Sequence, residues 1–299
     1  MDVIEYKGLK WIDIFTPTDD EMKTLEKDYD FHPLIIEELK TPTFHPILEL
    51  YQDYIFTILH FPNLDPESGR IESIEIDFLA TKNALITIRH QEFKDFGDVR
   101  FAIFGKPEQF MQNSSGHLFY HIVKKLLSKR FPELNRFGQS IDRIESEIFE
   151  DFNEDIIEKI SVIKRQMIDF IKTVKPQKAI WDSIDDIGIK FWGEKLKPYL
   201  VDLQTDYSRT LHFAETHNET VDSLHLTSSS LLDNKRNYVI KVLTIFTAII
   251  LPLSLITSIY GMNIALPLAD HPAAFWGFLI GMATVIAAML LFFRKRKWL

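Results

Sequence analysis

Residues 239–263 read VIKVLTIFTAIILPLSLITSIYGMN and determine the architecture of the chain. Up to Tyr260 this stretch is apolar except for Lys241 and scattered Thr and Ser. A second run, residues 273–293, is apolar apart from Thr284. Each run has about the 20 residues that an α-helix needs to cross ~30 Å of hydrocarbon. The sequence therefore predicts two transmembrane helices, over residues 239–260 and 273–293.

Basic residues flank these two helices on one side only. Residues 294–299 form a basic tail, and Lys235, Arg236 and Lys241 lie at the other outer end, whereas the loop 261–272 contains no Lys or Arg. Positive residues remain preferentially on the cytoplasmic side. We therefore expect a multi-pass protein of the cell (inner or plasma) membrane, with both termini cytoplasmic. The N-terminal residues show no basic segment followed by an apolar run, so we expect no cleaved signal peptide.

Composition excludes several classes of function. The formal charge is -9, and residues 239–299 hold five basic residues against Asp270, so the acidity lies in residues 1–238. An acidic domain argues against nucleic acid as a partner and is compatible with divalent cations. With no cysteine there is no thiolate metal site. The ten His form no His-Glu-x-x-His pair, and a phosphate loop and a nucleophile elbow are missing. We predict neither an enzyme nor an organic cofactor.

Residues 1–130 have the pattern of an α/β domain. Residues 10–14 predict a strand, and Thr18, followed by three acidic residues, predicts the start of a helix. Between residues 73 and 78, apolar and polar residues alternate as in a half-buried strand. Residues 84–88 follow after a short turn and predict its hairpin partner.

Residues 131–238 have helical periodicity. Isoleucines and other apolar residues recur at spacings of three and four from 141 to 171, which predicts one long amphipathic helix that Pro176 ends or bends. A second helix is predicted from Pro198 onward, and neither Pro nor Gly occurs in residues 199–251. We expect this helix to continue into the membrane as a rod of roughly 90 Å. The alternative is a break near residues 227–230.

The first membrane helix carries a mixed stripe on one face. At about 100° per residue, six side chains fall within about 40° of one line: Ile240, Leu243, Thr247, Leu251, Ser254 and Ser258. Asn237 lies about 80° from that line. Small hydroxyls also mediate helix packing in membranes, but the stripe, with an amide near each end, favours a pore wall whose aliphatic rings gate by dewetting. Two helices cannot enclose an aqueous path, so conduction would need several chains.

The residues after this helix suit a hydrated cation. Mg²⁺ dehydrates reluctantly and keeps its waters when bound. A ring of Asn263 amide oxygens in a symmetric oligomer would accept hydrogen bonds from those waters. Gly261 would allow a positive φ or a close backbone approach at the helix end. Three residues alone form a weak motif, and a helix cap is the simpler interpretation. The position between two terminal membrane helices makes the motif strong.

At this point the chain resembles the CorA family of magnesium and cobalt transporters. The resemblance is carried by residues 237–244, Leu251-Pro252-Leu253, residues 259–263 and the tail 294–299. It is dense across residues 231–299 and looser over the remainder. It implies a homopentameric channel in membrane lipid, with an α/β/α sandwich funnel in the cytoplasm and long stalk helices. The first membrane helix would line the pore and the second would face lipid.

The resemblance also implies site residues. The family's filter for hydrated Mg²⁺ matches Gly261, Met262 and Asn263, and its pore positions match Asn237 and the six residues of the stripe. Its regulatory site for Mg²⁺ lies between neighbouring subunits and matches Glu38, at the end of a His-Pro-Leu helix, with Asp202. Glu38 is longer than the aspartate usual there.

Two other functions fit the same architecture. One is a zinc transporter of the same architecture, with or without proton coupling, although Met262 favours the magnesium branch. The other is a membrane-anchored sensor or scaffold without conduction, against which the stripe argues. The outer loop departs from the family because Asp270 is its only acid. The strength of cation capture at the mouth, and the choice among Mg²⁺, Co²⁺, Ni²⁺ and Zn²⁺, do not follow from the sequence.

Overall fold

The computed structural model describes residues 1–112, 114–150, 155–262, 272–296 and 298. The chain divides into two compact units, Met1–His225 and Leu226–Leu299. The first unit is built on one six-stranded sheet with helices on both faces. The second contains two apolar helical segments. The predicted combination of an α/β domain, a long helix and two C-terminal apolar helices is confirmed.

The sheet has the strand order β1-β2-β6-β5-β4-β3. β2 pairs with β6 in parallel, and the other neighbouring strands are antiparallel. The strands are β1 (Asp2–Tyr6), β2 (Leu9–Phe15), β3 (Ile47–Leu50), β4 (Tyr54–Leu64), β5 (Ile71–Thr81) and β6 (Ala84–Arg89). The strands predicted over residues 10–14, 73–78 and 84–88 are therefore confirmed.

The described residues contain ten α-helices. They are α1 (Asp19–Tyr29), α2 (Pro33–Glu38), α3 (Lys94–Gly105), α4 (Pro107–Phe110), α5 (Ser115–Ser128), α6 (Arg130–Glu150), α7 (Asp155–Val174), α8 (Lys178–Trp192), α9 (Lys197–Tyr260) and α10 (Pro272–Lys295). Short 3₁₀ turns, Lys175–Gln177 and Glu194–Leu196, precede α8 and α9.

Local sequence explains the two helices that cover one face of the sheet. Thr18 caps α1 because its hydroxyl accepts from the backbone N–H of Glu21, whose carboxylate accepts from the Thr18 N–H at 3.0 Å. This reciprocal arrangement satisfies two donors that a helix start leaves unpaired. His32 caps α2 by accepting from the Leu34 N–H through Nδ1 at 3.2 Å. Pro33 then supplies a fixed φ suited to the first helical position.

The sheet is the middle of three layers. On one face, buried residues of α1 and α2 such as Leu25 and Ile35 pack with Ile58 and Ile88 of the sheet. On the other face lie α5 and α7, where Phe78 of β5 meets Phe119 edge to face at 5.1 Å between ring centroids. An α/β/α sandwich was predicted, and the sandwich is confirmed for the single chain.

The prediction of one long helix over residues 141–171 is wrong. The region forms two helices, α6 and α7, that pack against each other. The ammonium of Lys159 lies 2.6 Å from the Glu147 carboxylate, whereas in one straight helix twelve residues would separate their backbones by about 18 Å. The predicted apolar positions are buried from Ile141 to Ile148 in α6 and from Ile156 to Met167 in α7, whereas Ile171 is only partly buried. Helix α7 also packs on β4 and β5. The face of each helix was predicted correctly, but the reversal between them was not.

The helix predicted from Pro198 is α9, and it continues without a break to Tyr260. The alternative of a break at residues 227–230 is therefore wrong. Within the first unit, the predicted apolar face of α9 is buried at Leu200, Leu203, Tyr207, Leu211, Ala214, Val221 and Leu224. The Tyr207 ring stacks on the Trp181 ring of α8, with 5.2 Å between the ring centroids. Helix α8 itself was not predicted. Pro176 indicates that the preceding helix ends, but it does not indicate that another helix begins soon after it.

The second unit holds two helices long and apolar enough to cross a membrane. The C-terminal part of α9 and α10 cover the runs predicted over residues 239–260 and 273–293. The ring centroids of Tyr260, at the end of α9, and Phe278, on α10, lie 4.6 Å apart. Ile245 and Phe293 are buried, whereas most other side chains of the pair are exposed in the single chain. This unit therefore leaves a large apolar surface for lipid or further subunits.

Candidate ion pathway and regulatory metal site

Every residue of the predicted stripe is exposed in the single chain. The aliphatic members Ile240, Leu243 and Leu251 are 53%, 62% and 64% exposed. The hydroxyl residues Thr247, Ser254 and Ser258 and the amide of Asn237 are exposed as well. Large aliphatic side chains exposed along a membrane helix must be covered by lipid, by another chain or by a narrow pore.

Shallow grooves on the helix surface follow the stripe. One is lined by Thr247, Leu251, Ser254 and Ser258 with flanking apolar residues, and a second continues to Leu243. The Thr247 hydroxyl donates to the Leu243 carbonyl at 2.9 Å. Because that donation uses its only proton, the Thr247 oxygen presents lone pairs outward as an acceptor. An acceptor of this kind suits the water shell of a hydrated cation.

Pro252 changes the backbone beside the stripe. It lies inside α9 and has no N–H to donate to the carbonyl of Ala248, four residues earlier. Ala248 and Pro252 both line the groove that contains Leu243 and Leu251. Because of the proline, the Ala248 carbonyl oxygen lacks its usual helical donor. It becomes a further acceptor beside this groove.

Helix α9 ends where the predicted filter begins. The Gly261 N–H donates to the Thr257 carbonyl at 2.9 Å, and the Met262 N–H to the Ile259 carbonyl at 3.3 Å. Gly261 does not have a positive φ, so that part of the expectation is wrong. A Cβ there would lie 3.3 Å from the Thr257 carbonyl oxygen, so the close approach is what glycine permits. Asn263 and Asp270 lie outside the described residues.

Glu38 ends α2 in acidic surroundings. Its side chain is partly buried, and burial together with the charges of Glu49 and Glu75 raises the pKa of Glu38. Its neighbour Glu37 instead pairs with Lys40 at 2.8 Å. A carboxylate among other carboxylates gains strongly from a bound divalent cation. The surroundings of Glu38 are therefore electrostatically suited to a metal, and the regulatory role that the resemblance implies for Glu38 stays a prediction.

Asp202 on α9 has a different environment. The Lys124 ammonium lies 2.6 Å from its carboxylate, and the Tyr120 hydroxyl donates to it at 2.9 Å. The hydrogen bond from Lys124, with a smaller contribution from Tyr120, lowers the pKa of Asp202. Burial, aided by Asp202, raises the pKa of Tyr120 to about 12. Asp202 is therefore ionised and already neutralised by an internal cation.

Lys124 also lies 2.8 Å from Asp206, so one ammonium joins two acids of α9. Our sequence reasoning missed this cluster. The signal was available, because residues 120 and 124 on one helix, and 202 and 206 on another, share a face at a spacing of four. Among the described residues of this single chain, no hydrogen bond or ion pair joins Glu38 to Asp202. The pair predicted from the resemblance therefore remains a prediction about neighbouring subunits.

An α/β domain, a long helix that continues into the first of two apolar C-terminal helices, and a polar stripe along that helix define a membrane transport protein. The chain belongs to the CorA-like Mg²⁺ transporter family, whose model matches residues 6–295. It is therefore a divalent-cation transporter, embedded in the membrane through its C-terminal helices, and not an enzyme.

Individual relatives agree with this assignment. The chain is 27% identical to the cobalt/magnesium transport protein CorA of Thermotoga maritima, over 94% of this chain and 80% of that protein. Its fold matches the complete structure of the CorA magnesium transporter from Methanocaldococcus jannaschii with a TM-score of 0.82 at 23% identity, covering 100% of this chain and 95% of that one. The ZntB cytoplasmic domain from Vibrio parahaemolyticus matches with a TM-score of 0.64 at 14% identity, covering 77% and 90%.

Proposed function

We propose that this protein is a homopentameric channel for Mg²⁺, with Co²⁺ and Ni²⁺ as possible further substrates. The observation that carries the proposal is the exposed stripe from Ile240 to Ser258 on an unbroken helix. In a ring of chains this stripe would face the axis, with Asn237 at its inner end. Residues 239–260 would line the pore, and residues 273–293 would form the outer ring in lipid. The relatives named for cobalt and magnesium transport support Mg²⁺ and Co²⁺.

The outer mouth would select a hydrated ion. Gly261, Met262 and Asn263 would form the filter within the loop 261–272, and neutral oxygens would bind the first water shell instead of replacing it. With both termini in the cytoplasm, the membrane potential would drive entry. It favours a divalent cation by about 4.6 kcal/mol per 100 mV. No organic cofactor would take part.

Regulation would act through intracellular Mg²⁺ held between Glu38 of one subunit and Asp202 of the next. The acidic surroundings of Glu38 support this site. A bound cation would link subunits in the symmetric closed state, because a ligand stabilises the state that it binds more tightly. Lys124 would compete with the metal for Asp202, because it already neutralises that carboxylate. The affinity for Mg²⁺ would thus be lowered by a residue of the protein itself.

Replacing Lys124 with methionine is expected to make inhibition by internal Mg²⁺ more sensitive. The variant keeps most of the side-chain volume and leaves Asp202 and Asp206 without their shared cation. We expect half-maximal inhibition at a roughly tenfold lower Mg²⁺ concentration, equivalent to ~1.4 kcal/mol of binding. Lys129→Met is the matched control, because Lys129 pairs with Asp98 at 3.0 Å, away from Asp202. Equal shifts in both variants, or none, would contradict the competition.

Replacing Leu243 with asparagine is expected to increase leakage through the closed channel. A ring of leucines excludes water from a narrow pore, and an amide in each chain would let the constriction fill with water. We expect uptake at inhibiting internal Mg²⁺ to rise severalfold. Leu253→Asn is the control, because at about 100° per residue it lies more than 90° from the stripe. Leakage that is the same in both variants would remove Leu243 from the pore.

The metal itself is tested by flux through the purified protein in liposomes. Mg²⁺, Co²⁺, Ni²⁺ and Zn²⁺ would be compared with and without internal Mg²⁺ and with a pH gradient. Mg²⁺ flux that needs no pH gradient is expected. Proton-dependent Zn²⁺ flux would instead favour the zinc transporter of the same architecture. The lack of any flux would favour a non-conducting sensor or scaffold.

A further inference from the structure

Two acids and a histidine meet inside the first unit. Ligand atoms of Glu75, Asp77 and His90 all lie within 4.8 Å of one another. Glu75 and Asp77 are 7% and 1% exposed, so both carboxyl groups are withdrawn from water. Burying two carboxyl groups next to each other is unfavourable unless a proton or a cation compensates for the repulsion.

The register of the sheet explains why these three side chains meet. Glu75 and Asp77 are two residues apart on β5, so they lie on the same face. Asp77 is opposite Ile88 of β6, and His90 follows two residues later, on the same face and beside Glu75. Glu75 is also opposite His60 of β4. The cluster is thus fixed by strand pairing, on the face that α1 and α2 cover.

The polar partners of Glu75 contact only one of its carboxylate oxygens, Oε2. They do not balance the negative charge that two ionised carboxylates would bring to the cluster. The Thr43 N–H donates to Glu75 Oε2 at 2.7 Å, and His60 Nε2 lies 3.3 Å from the same oxygen. His60 Nε2 is also 2.9 Å from the Thr43 carbonyl, so this ring nitrogen is engaged. Within the part of the chain that the structure describes, no Lys or Arg forms an ion pair with Glu75 or Asp77.

Two polar atoms of the cluster have no hydrogen-bond partner. Asp77 Oδ1 and His90 Nε2 are both buried and make no hydrogen bond. The His90 ring lies near the backbone of Leu39, the residue after α2. A buried imidazole nitrogen without a hydrogen-bond partner, beside two carboxyl groups, is available to bind a metal.

We propose that Glu75, Asp77 and His90 form a binding site for a divalent transition metal of the Zn²⁺ and Co²⁺ type. Mixed imidazole and carboxylate ligands suit these metals, whereas Mg²⁺ prefers oxygen ligands and keeps several waters. Three protein ligands leave a fourth position for water. With ligands at ~2.0–2.2 Å from the metal, the ligand atoms would draw together from separations of up to 4.8 Å.

The site would connect the sheet to the residue proposed for regulation. Glu38 directly precedes Leu39, and its carboxylate responds to the charge of Glu75. A metal in the cluster would neutralise that charge and stabilise the contact between the end of β6 and α2. The proposal does not depend on the channel function, because it concerns only contacts inside one chain.

The test uses the full-length protein in detergent, stripped of metal with a chelator and then loaded with Co²⁺. After gel filtration we expect about one Co²⁺ per chain, with visible absorption stronger than that of hydrated Co²⁺ and lost on adding Zn²⁺. X-ray absorption of the loaded wild-type protein should report imidazole ligation. A hydrated ion at the channel mouth would keep the weak spectrum of the aqueous ion, so the two sites are distinguishable.

Single-residue variants test which side chains bind the metal. His90→Gln and Asp77→Asn should lose the Co²⁺ spectrum, while His121→Gln and Asp202→Asn should retain it; circular dichroism and gel filtration would check the fold. Wild-type protein that retains no Co²⁺, or that shows only oxygen ligands by X-ray absorption, would overturn the proposal whatever the variants do. The two carboxyl groups would then share a proton instead of a metal. Retention of the spectrum in His90→Gln would overturn it as well.

Discussion

Replacing Asn263 with alanine is expected to abolish Mg²⁺ uptake while the protein still assembles in the membrane. The change removes one amide oxygen per chain from the proposed filter, and in a symmetric oligomer it would remove the whole ring. A hydrated ion would then lose its acceptors at the mouth. We expect uptake into liposomes to fall by at least about a hundredfold, equivalent to ~2.7 kcal/mol in the barrier.

The control for this variant is Asn234→Ala. Asn234 is an exposed amide of α9, and at about 100° per residue it lies on the side opposite the stripe. It should leave uptake unchanged. Both variants should elute as the wild-type oligomer in gel filtration. Wild-type flux in Asn263→Ala, or equal losses in the two variants, would remove Asn263 from the filter.

The structure was predicted best from the sequence where one periodicity of apolar and polar residues continues without interruption. The stripe on α9 follows from helical geometry alone, and its six residues are all exposed. The strand that contains Glu75 was predicted from the alternation of apolar and polar residues. In both cases each residue needs only its near neighbours in the chain to define which face it occupies.

Prediction failed where distant segments decide the structure. Helices α6 and α7 share one apolar periodicity, and the sequence between Ile148 and Ile156 has no Pro or Gly to indicate a reversal. The reversal is favoured because α7 then covers β4 and β5, a gain that the local sequence does not contain. The same is true of Lys124, whose partner Asp202 lies 78 positions away.

Removing both proposed regulatory acids should release the channel from inhibition by internal Mg²⁺. Glu38→Gln with Asp202→Asn keeps the size of both side chains and removes the charges that would bind the metal. We expect the half-inhibiting concentration of Mg²⁺ to rise by at least about tenfold, or ~1.4 kcal/mol. Flux without internal Mg²⁺ should stay unchanged, because the two substitutions do not alter any residue of the stripe. Concentration-dependent inhibition in liposomes measures both quantities.

Loss of an ion pair on α9 could also loosen the protein without any metal, and the control must separate these effects. Asp222 lies on the same helix as Asp202, and Asp222→Asn breaks its 2.8 Å pair with Lys164 of α7, as Asp202→Asn breaks the pair with Lys124. If metal binding is the cause, only the Glu38 and Asp202 variant shifts the inhibition by Mg²⁺. The Lys124→Met variant should shift it in the opposite direction, because that substitution frees the carboxylate instead of removing it. Opposite shifts from the two partners of one ion pair distinguish competition for a metal from simple destabilisation, which would shift both variants the same way.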